Sequence, residues 1–126
     1  MSLFSRFFAK HRAAATAVEA GMIGAEELAC TLVAEPWPVL DVRNPDEFNG
    51  PLGHIRSALN IPLASLAERV DELRPYRQQT LVVVCLSEKR SAQAIDYLRG
   101  AGFEKLVLLR GGMKDWTARH LPVATE

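Results

Sequence analysis

The feature that most constrains the fold is a short apolar strand that ends in a cysteine. Leu81–Val84 is an uninterrupted apolar run, and a run this short and rich in valine is typical of a strand buried on both faces. The run ends at Cys85, polar residues follow, and from Ala92 onward apolar residues recur at helical spacing. Because ligands bind at the carboxyl ends of strands in an open parallel sheet, Cys85 occupies a position where chemistry is expected.

The loop after this strand is the predicted chemical site. Its backbone N–H groups and the positive end of the following helix can face the sulfur, where they favour the nucleophilic thiolate over the thiol. Lys89 and Arg90 gain significance from lying in the same loop, although either alone would be an ordinary solvated charge. The alternative is that Cys85 is an inert core cysteine, since free cysteine is among the most buried residue types.

Composition narrows the class of protein. The chain has 126 residues, the size of one domain, and its formal net charge of zero gives no general attraction to nucleic acid. Cys30 and Cys85 are the two cysteines and do not form a disulfide framework, so a reducing, cytoplasmic location is expected. The sequence has no Cys/His cluster with metal-ligand spacing, no glycine-rich nucleotide motif and no apolar stretch long enough to cross a bilayer.

Residues 1–20 differ from the rest and are predicted to form a basic amphipathic extension, with residues 21–126 as the domain. No acidic residue precedes Glu19. In a helix, one side would carry four apolar residues, Leu3, Phe4, Phe7 and Phe8. Three interpretations stay open: a helix packed on the domain or on a partner protein, a peripheral helix at a membrane surface, and an organelle-targeting segment.

Strands and helices alternate along the remaining chain, which predicts an α/β layer structure with a mainly parallel sheet and right-handed crossovers. A helix is expected over 24–33, in which Cys30 would be a small core or boundary residue; a resolving role for its thiol lacks support. One continuous helix is expected over 63–73, ended by Pro75. Further strands are expected near 39–42, 58–61 and 106–109, and further helices over 45–48, 92–100 and 113–119.

Four motifs in sequence order resemble the signatures of the rhodanese-like, or sulfurtransferase, domain over about residues 22–122. They are LDVRNPDEF at 40–48, GHIRSALNIP at 53–62, CLSEKRS at 85–91 and GGMKDW at 111–116. Any one of these motifs alone would be weak, whereas all four in order are specific. The resemblance implies a three-layer α/β fold with a five-stranded, mainly parallel sheet flanked by helices.

The chemistry implied by the resemblance is the transfer of sulfane sulfur. Cys85 would take sulfur from thiosulfate or a persulfide, hold it as a cysteine persulfide and pass it to a thiol or cyanide, with ping-pong kinetics. The loop amides would cradle the negative charge, Arg90 would hold the loop or meet an anionic donor, and neither a metal nor an organic cofactor is needed. The implied loop residues are Leu86, Ser87, Glu88, Lys89 and Arg90.

Supporting residues are expected near the loop. Asp41, Arg43 and His54 could form an acid–base site, but within the resemblance they are better interpreted as tying loops together by hydrogen bonds. His54 is not favoured as a base, because the loop alone can activate a thiolate. Trp116 is expected in the core.

Two loop residues depart from the family pattern. Loops that handle thiosulfate well often carry arginine directly after the cysteine and glycine two residues further on, where this chain has Leu86 and Glu88. Leu86 removes a positive charge, and an inward-pointing Glu88 carboxylate would disfavour the thiolate and repel an anionic donor. We therefore expect weak turnover of thiosulfate with cyanide, and we expect Glu88→Gly to increase it.

Two other functions are considered. Dual-specificity phosphatases and arsenate reductases have a related fold but need a longer loop to hold a tetrahedral oxyanion, and only residues 86–89 separate Cys85 from Arg90. This spacing argues against phosphate. The second alternative is a non-catalytic binding or regulatory module that docks through residues 1–20, and persulfide formation at Cys85 discriminates it from the enzyme.

Overall fold

A single sheet of five parallel strands lies at the centre of the fold, which is described here from a computed structural model. Its strands are β1 Met22–Ile23, β2 Val39–Asp41, β3 Leu59–Asn60, β4 Leu81–Val84 and β5 Leu106–Leu109. They are ordered β1-β5-β4-β2-β3, and every neighbouring pair is parallel, so all carboxyl ends lie at one edge of the sheet. The structure describes residues 14–125, and the predictions for residues 1–13 lie outside the described residues.

Helices cover both faces of this sheet. They are α1 Ala25–Ala34, α2 Pro45–Phe48, α3 Leu66–Arg69, α4 Lys89–Gly100 and α5 Gly112–Ala118. One buried apolar cluster joins the sheet to α3 and α4, and a second joins its other face to α1 and α5. The three-layer α/β prediction is therefore confirmed. Residues 14–20 are also helical, and no helix within residues 14–125 is long and apolar enough to cross a membrane.

Strand β4 is buried on both of its faces, as its apolar run predicts. Leu81 and Val83 belong to the cluster on the α4 face, while Val82 and Val84 belong to the cluster on the α1 face. Each such side chain contributes about 1.5–3 kcal/mol when it is fully buried. The strand that leads to Cys85 is thus fixed from both sides of the sheet.

The segment predicted as one helix over 63–73 is broken, and that prediction was wrong. It consists of a 3₁₀ turn at Leu63–Ser65, the short helix α3, and a second 3₁₀ segment at Val70–Tyr76 that contains Pro75. Proline has no N–H to donate and disfavours the α conformation of the residue before it. The α-helical hydrogen bonding therefore ends well before the proline rather than at it.

Strand β1 is the one strand that the sequence pattern does not reveal. It has two residues, too few to show any periodicity. Backbone pairing with β5 holds it: the Leu108 N–H donates to the Gly21 carbonyl, and the Arg110 N–H donates to the Ile23 carbonyl.

Cys30 is exposed, which corrects its expected place in the core or at its boundary. The buried residues of α1 are Ala25, Leu28 and Thr31. Cys30 follows Leu28 by two positions, about 200° around the helix, so its side chain points away from the sheet.

A buried ion pair at the end of β2 is hydrogen-bonded to the loop beyond α2. Arg43 and Asp41 are both about 1% exposed at their side chains, and the Arg43 Nη2 lies 2.7 Å from the Asp41 carboxylate. The same nitrogen donates to the Gly53 carbonyl at 2.8 Å, and Nη1 donates to the Glu47 carbonyl at 3.3 Å. All of these acceptors are backbone or carboxylate oxygens, and they belong to β2, to α2 and to the loop beyond it. The Arg43 guanidinium therefore cross-links β2 to the segment that follows it.

Removing this cross-link should be costly. We expect Arg43→Ala to lower the free energy of unfolding by about 3–5 kcal/mol, because it leaves a buried carboxylate without its partner. Arg74→Ala is the matched control, since Arg74 and Asp71 form a pair in which the side chains are 69% and 81% exposed. We expect that control to change stability by less than about 1 kcal/mol in urea unfolding. Equal small losses from both variants would contradict the assignment.

Candidate active site

Cys85 lies directly after β4, where its side chain is 1% exposed and its thiol is free. The backbone N–H of Ser91 donates to the Cys85 Sγ at an N···S distance of 3.4 Å. Ser91 is in the first turn of α4, whose leading N–H groups have no acceptor within the helix. The local sequence of strand, loop and helix therefore directs a backbone donor and the positive helix end toward the sulfur.

The carbonyl side of the cysteine loop faces the start of α5. The carbonyls of Cys85 and Leu86 accept hydrogen bonds from the N–H groups of Met113 at 2.9 Å and Lys114 at 3.0 Å. A Cβ atom added to Gly112 would lie 2.5 Å from three carbonyl oxygens, those of residues 85–87. Gly112 also has a φ of +56°, so glycine is required here for conformation as well as for space.

This contact leaves the N–H side of the loop free. In a planar trans peptide, the C=O of one residue points opposite to the N–H of the next. With three carbonyls turned toward Gly112, the N–H groups of residues 86–88 point away from it. Within residues 14–125, no protein group accepts a hydrogen bond from these three N–H groups. Successive free backbone donors of this kind form a site for negative charge.

Arg90 is held by a carboxylate from the neighbouring α2. Its two terminal nitrogens donate to Glu47 at 2.7 and 2.9 Å, and Glu47 also accepts from the Asn44 N–H at 3.2 Å. The hydrogen bond from Arg90 lowers the pKa of Glu47 below its ordinary value of 4.5. Glu47 in turn raises the pKa of Arg90 through the same hydrogen bond, with smaller electrostatic contributions from Cys85 and Asp41. The arginine thus anchors the loop while its charge stays within electrostatic reach of the sulfur.

The remaining supporting residues bind loop backbone. The Asn60 side chain donates to the carbonyls of Asp41 at 3.0 Å and Arg43 at 2.8 Å. The His54 Nδ1 lies 2.7 Å from the Phe48 carbonyl, and its ring stacks on Phe48 at a centroid distance of 3.6 Å. Since a carbonyl only accepts, Nδ1 carries the proton and donates it. These contacts tie separate segments of the backbone together by hydrogen bonds. Trp116 is buried, as expected for a core residue.

The loop side chains point in different directions. Leu86 is 36% exposed, and Ser87 and Lys89 are exposed as well. The Glu88 Oε2 accepts a hydrogen bond from the Gly111 N–H at 2.9 Å, on the side of the loop that its carbonyls occupy. The carboxylate therefore does not point inward, so the condition on which the expected repulsion of anionic donors depends is not met.

The Ser91 hydroxyl is a feature that sequence reasoning missed. It is buried and has no hydrogen-bond partner within the described residues, although the N–H of the same residue reaches the sulfur. An unpaired buried hydroxyl costs about 1–3 kcal/mol, so a bound group that accepts from it would recover that cost. Its place in the first turn after the cysteine loop was the available signal, and the motif at 85–91 includes it.

Comparison with known proteins identifies one family. A family model described as Rhodanese-like domain matches residues 24–119. The chain is 40% identical over 78 residues to the uncharacterized protein YqhL of Bacillus subtilis, covering 62% of this chain and 59% of the relative. It is 35% identical over 82 residues to the thiosulfate sulfurtransferase PspE of Escherichia coli, covering 65% of this chain and 74% of the relative.

The fold is shared with solved structures. A rhodanese-related protein from Thermoplasma volcanium is 33% identical with a TM-score of 0.73, and the match covers 83% of this chain and 98% of that one. Among the curated relatives, the match spans 59% of YqhL and 45% and 44% of two others, so these proteins extend well beyond the shared region.

The close approach of Gly112 gives a direct test of the site. We expect Gly112→Ala to slow alkylation of Cys85 by iodoacetamide at least tenfold, because the loop carbonyls must move and the donors move with them. Gly100→Ala is the matched control: a Cβ there meets nothing within 4 Å. We expect it to leave alkylation unchanged and to add about 0.4–1 kcal/mol of stability. Equal alkylation of both variants would contradict the role of Gly112.

The pair of Glu47 and Arg90 predicts a dependence of stability on pH. A carboxyl whose folded pKa is lowered stabilises the fold above its unfolded pKa of about 4.5, and this contribution is lost as pH falls through the folded value. Wild type should therefore exceed Glu47→Gln in free energy of unfolding at neutral pH, and the difference should shrink as pH falls below about 4.5 toward the lowered folded pKa of Glu47.

Urea unfolding across this pH range measures the difference. The same comparison in an Arg90→Gln background removes the pair and serves as the control. If the stability difference between glutamate and glutamine at position 47 shrinks equally with falling pH in the Arg90→Gln background, another group causes the pH dependence.

Proposed function

Because the chain belongs to the rhodanese-like domain family, we propose that it is a sulfurtransferase that carries sulfane sulfur as a persulfide on Cys85. The observation that carries the proposal is a buried free cysteine whose Sγ accepts a helix-terminal N–H. It lies beside a loop whose other N–H groups have no protein acceptor within residues 14–125. Such a site fits one sulfur atom with negative charge better than it fits a neutral group.

The proposed reaction is two displacements at one sulfur atom. The Cys85 thiolate attacks the outer sulfur of the donor; a bond forms between Sγ and that sulfur, and the donor leaves with the electron pair of the broken bond as sulfite or a thiolate. An acceptor thiolate or cyanide then attacks the outer sulfur, and Cys85 leaves as thiolate. Atoms and electrons balance without a further oxidant or reductant.

The residues around the sulfur have separate parts in these steps. The free N–H groups of residues 86–88 and the N–H of Ser91 stabilise the thiolate and the terminal sulfur of the persulfide. The Ser91 hydroxyl provides one further donor for the added sulfur. Arg90, held by Glu47, keeps the loop in place and supplies a nearby positive charge. Asp41 and Arg43 maintain the neighbouring loop against which Glu47 is placed.

We propose persulfides, small or protein-bound, as better donors than thiosulfate. Leu86 is 36% exposed and gives the loop an apolar side chain where thiosulfate-specific family members often have a cation. A dianionic donor gains less attraction from such a loop than from an arginine-bearing one. The acceptor is proposed to be a thiol. The reaction needs Cys85 as a free thiolate, so a reducing compartment such as the cytoplasm is proposed as its location.

The decisive experiment is the intact mass of the protein after incubation with glutathione persulfide and, separately, with thiosulfate. We expect one added sulfur on wild type and on Cys30→Ala, no addition to Cys85→Ala, and faster loading from the persulfide. Loss of the added sulfur when a thiol acceptor is supplied would complete the cycle. No added sulfur from any donor on folded, reduced protein would overturn the proposal and favour a non-catalytic binding module.

A further inference from the structure

We propose that Glu88 is a positioning residue that fastens the cysteine loop to the turn at Gly111 and Gly112. The inference rests on the proposed function, since it explains how this chain keeps its loop donors aligned for Cys85. It assigns to Glu88 a hydrogen-bonding role in place of the electrostatic effect on the donor that the sequence suggests. Family loops that handle thiosulfate well often carry glycine at this position, and glycine has no side chain to make the contact.

The contact itself bridges two loops that are distant in sequence. Glu88 is the residue immediately before α4, and its Oε2 accepts from the Gly111 N–H at 2.9 Å. Gly111 follows the end of β5, beyond the residues whose N–H groups pair within the sheet, and it has a φ of +76°. The Glu88 carboxylate therefore binds a donor that the sheet does not use, and an ionised acceptor makes this hydrogen bond stronger than a neutral one.

This contact completes a row of hydrogen bonds between the two segments. At one end, the carbonyls of Cys85 and Leu86 accept from the N–H groups of Met113 and Lys114 in the first turn of α5. At the other end, Glu88 accepts from Gly111 through its side chain. The loop is thereby held at both of its ends against the same turn. Its carbonyls stay on the Gly112 side and its N–H groups stay on the opposite side.

The same geometry limits the effect of the Glu88 charge on an anionic donor. The carboxylate is bound to a backbone N–H on the carbonyl side of the loop, whereas a sulfur donor needs the N–H side. Since hydrogen bonding to a donor compensates the charge locally, the carboxylate has less influence on an approaching anion than its sequence position implies. Removal of Glu88 is therefore expected to loosen the loop more than it relieves repulsion.

Three variants separate position from charge, each made in the Cys30→Ala background so that only Cys85 reacts. Glu88→Gln keeps an oxygen that can accept from Gly111 but loses the charge. Glu88→Ala loses both, and Glu88→Gly additionally restores the family residue. The readouts are the pH profile of Cys85 alkylation by iodoacetamide and the separate kcat and KM for sulfur transfer from glutathione persulfide and from thiosulfate.

We expect both readouts of Glu88→Gln to stay within about twofold of the parent protein. We expect Cys85 in Glu88→Ala to be alkylated about tenfold more slowly at neutral pH, and sulfur transfer by this variant to be impaired in kcat rather than in KM. Thiosulfate turnover should not increase in Glu88→Ala or Glu88→Gly. If Cys85 alkylation slows equally in Glu88→Gln and Glu88→Ala, or if thiosulfate turnover rises in both, the charge of Glu88 is the controlling property and the proposal is wrong. It is equally wrong if neither variant differs from its parent.

The alkylation arm does not depend on sulfur transfer. If wild type fails to load sulfur but Glu88→Ala still alkylates slowly while Glu88→Gln does not, the proposed function fails and the positioning role stands. Near-ultraviolet circular dichroism checks that each variant is folded. If Glu88→Ala fails to fold, Glu88→Gly takes its place. Slow alkylation of folded Glu88→Gly with normal alkylation of Glu88→Gln supports the positioning role, and normal alkylation of both variants overturns it.

Discussion

The site depends on how closely the start of α5 approaches the loop after Cys85. Three carbonyl oxygens converge where a Cβ of residue 112 would be, and the absence of that atom is what lets the two segments touch. The order of the sheet creates this meeting: β4 and β5 are parallel neighbours, so the cysteine loop and the glycine turn emerge at the same edge. The contact fixes which way each peptide of the loop faces, and with it the direction of the donors.

The loop is also held from the opposite side. Strand β2 is the other neighbour of β4, and helix α2, which follows β2, supplies Glu47 to Arg90. The two ion pairs there differ in kind. The buried pair of Arg43 and Asp41 is costly to break because a charge would remain unpaired, so it maintains the place of α2, which carries Glu47. The pair of Arg90 and Glu47 is roughly one-third exposed, so it sets the position of the cysteine loop more than it adds to stability.

The sequence predicts those parts of the fold that depend on neighbouring residues. The valine run, the cysteine and the start of α4 follow from local periodicity, and the glycine pair at 111–112 indicates a turn. Strand β1 is missed because its two residues are held by pairing with β5, which the local pattern does not contain. The helix expected over 63–73 is broken into three segments although its apolar spacing is helical, and the effect of Pro75 accounts only for the last of them, Val70–Tyr76.

In the candidate site, too, the parts that depend on neighbouring residues are predictable and those that depend on distant contacts are not. Cys85 and the loop can be located from their own segment, and the family resemblance supplies the chemistry. The direction of a side chain cannot be obtained in this way: the partner of Glu88 is 23 positions further along the chain, in a turn that the fold brings to it. Charge alone suggests that Glu88 opposes an anionic donor, whereas its hydrogen bond places that charge on the other side of the loop.

With Glu88 turned toward Gly111, the departure from the family pattern that still faces a donor is Leu86. Backbone N–H groups stabilise the persulfide in the proposed reaction, and they are present whatever side chain residue 86 carries. In that reaction, an apolar residue at that position would alter how a charged donor approaches, while the stability of the bound sulfur would depend on the loop peptides. In the proposed reaction, selection among donors and retention of sulfur would thus be separable: the first would depend on an exposed side chain and the second on the close contact at Gly112.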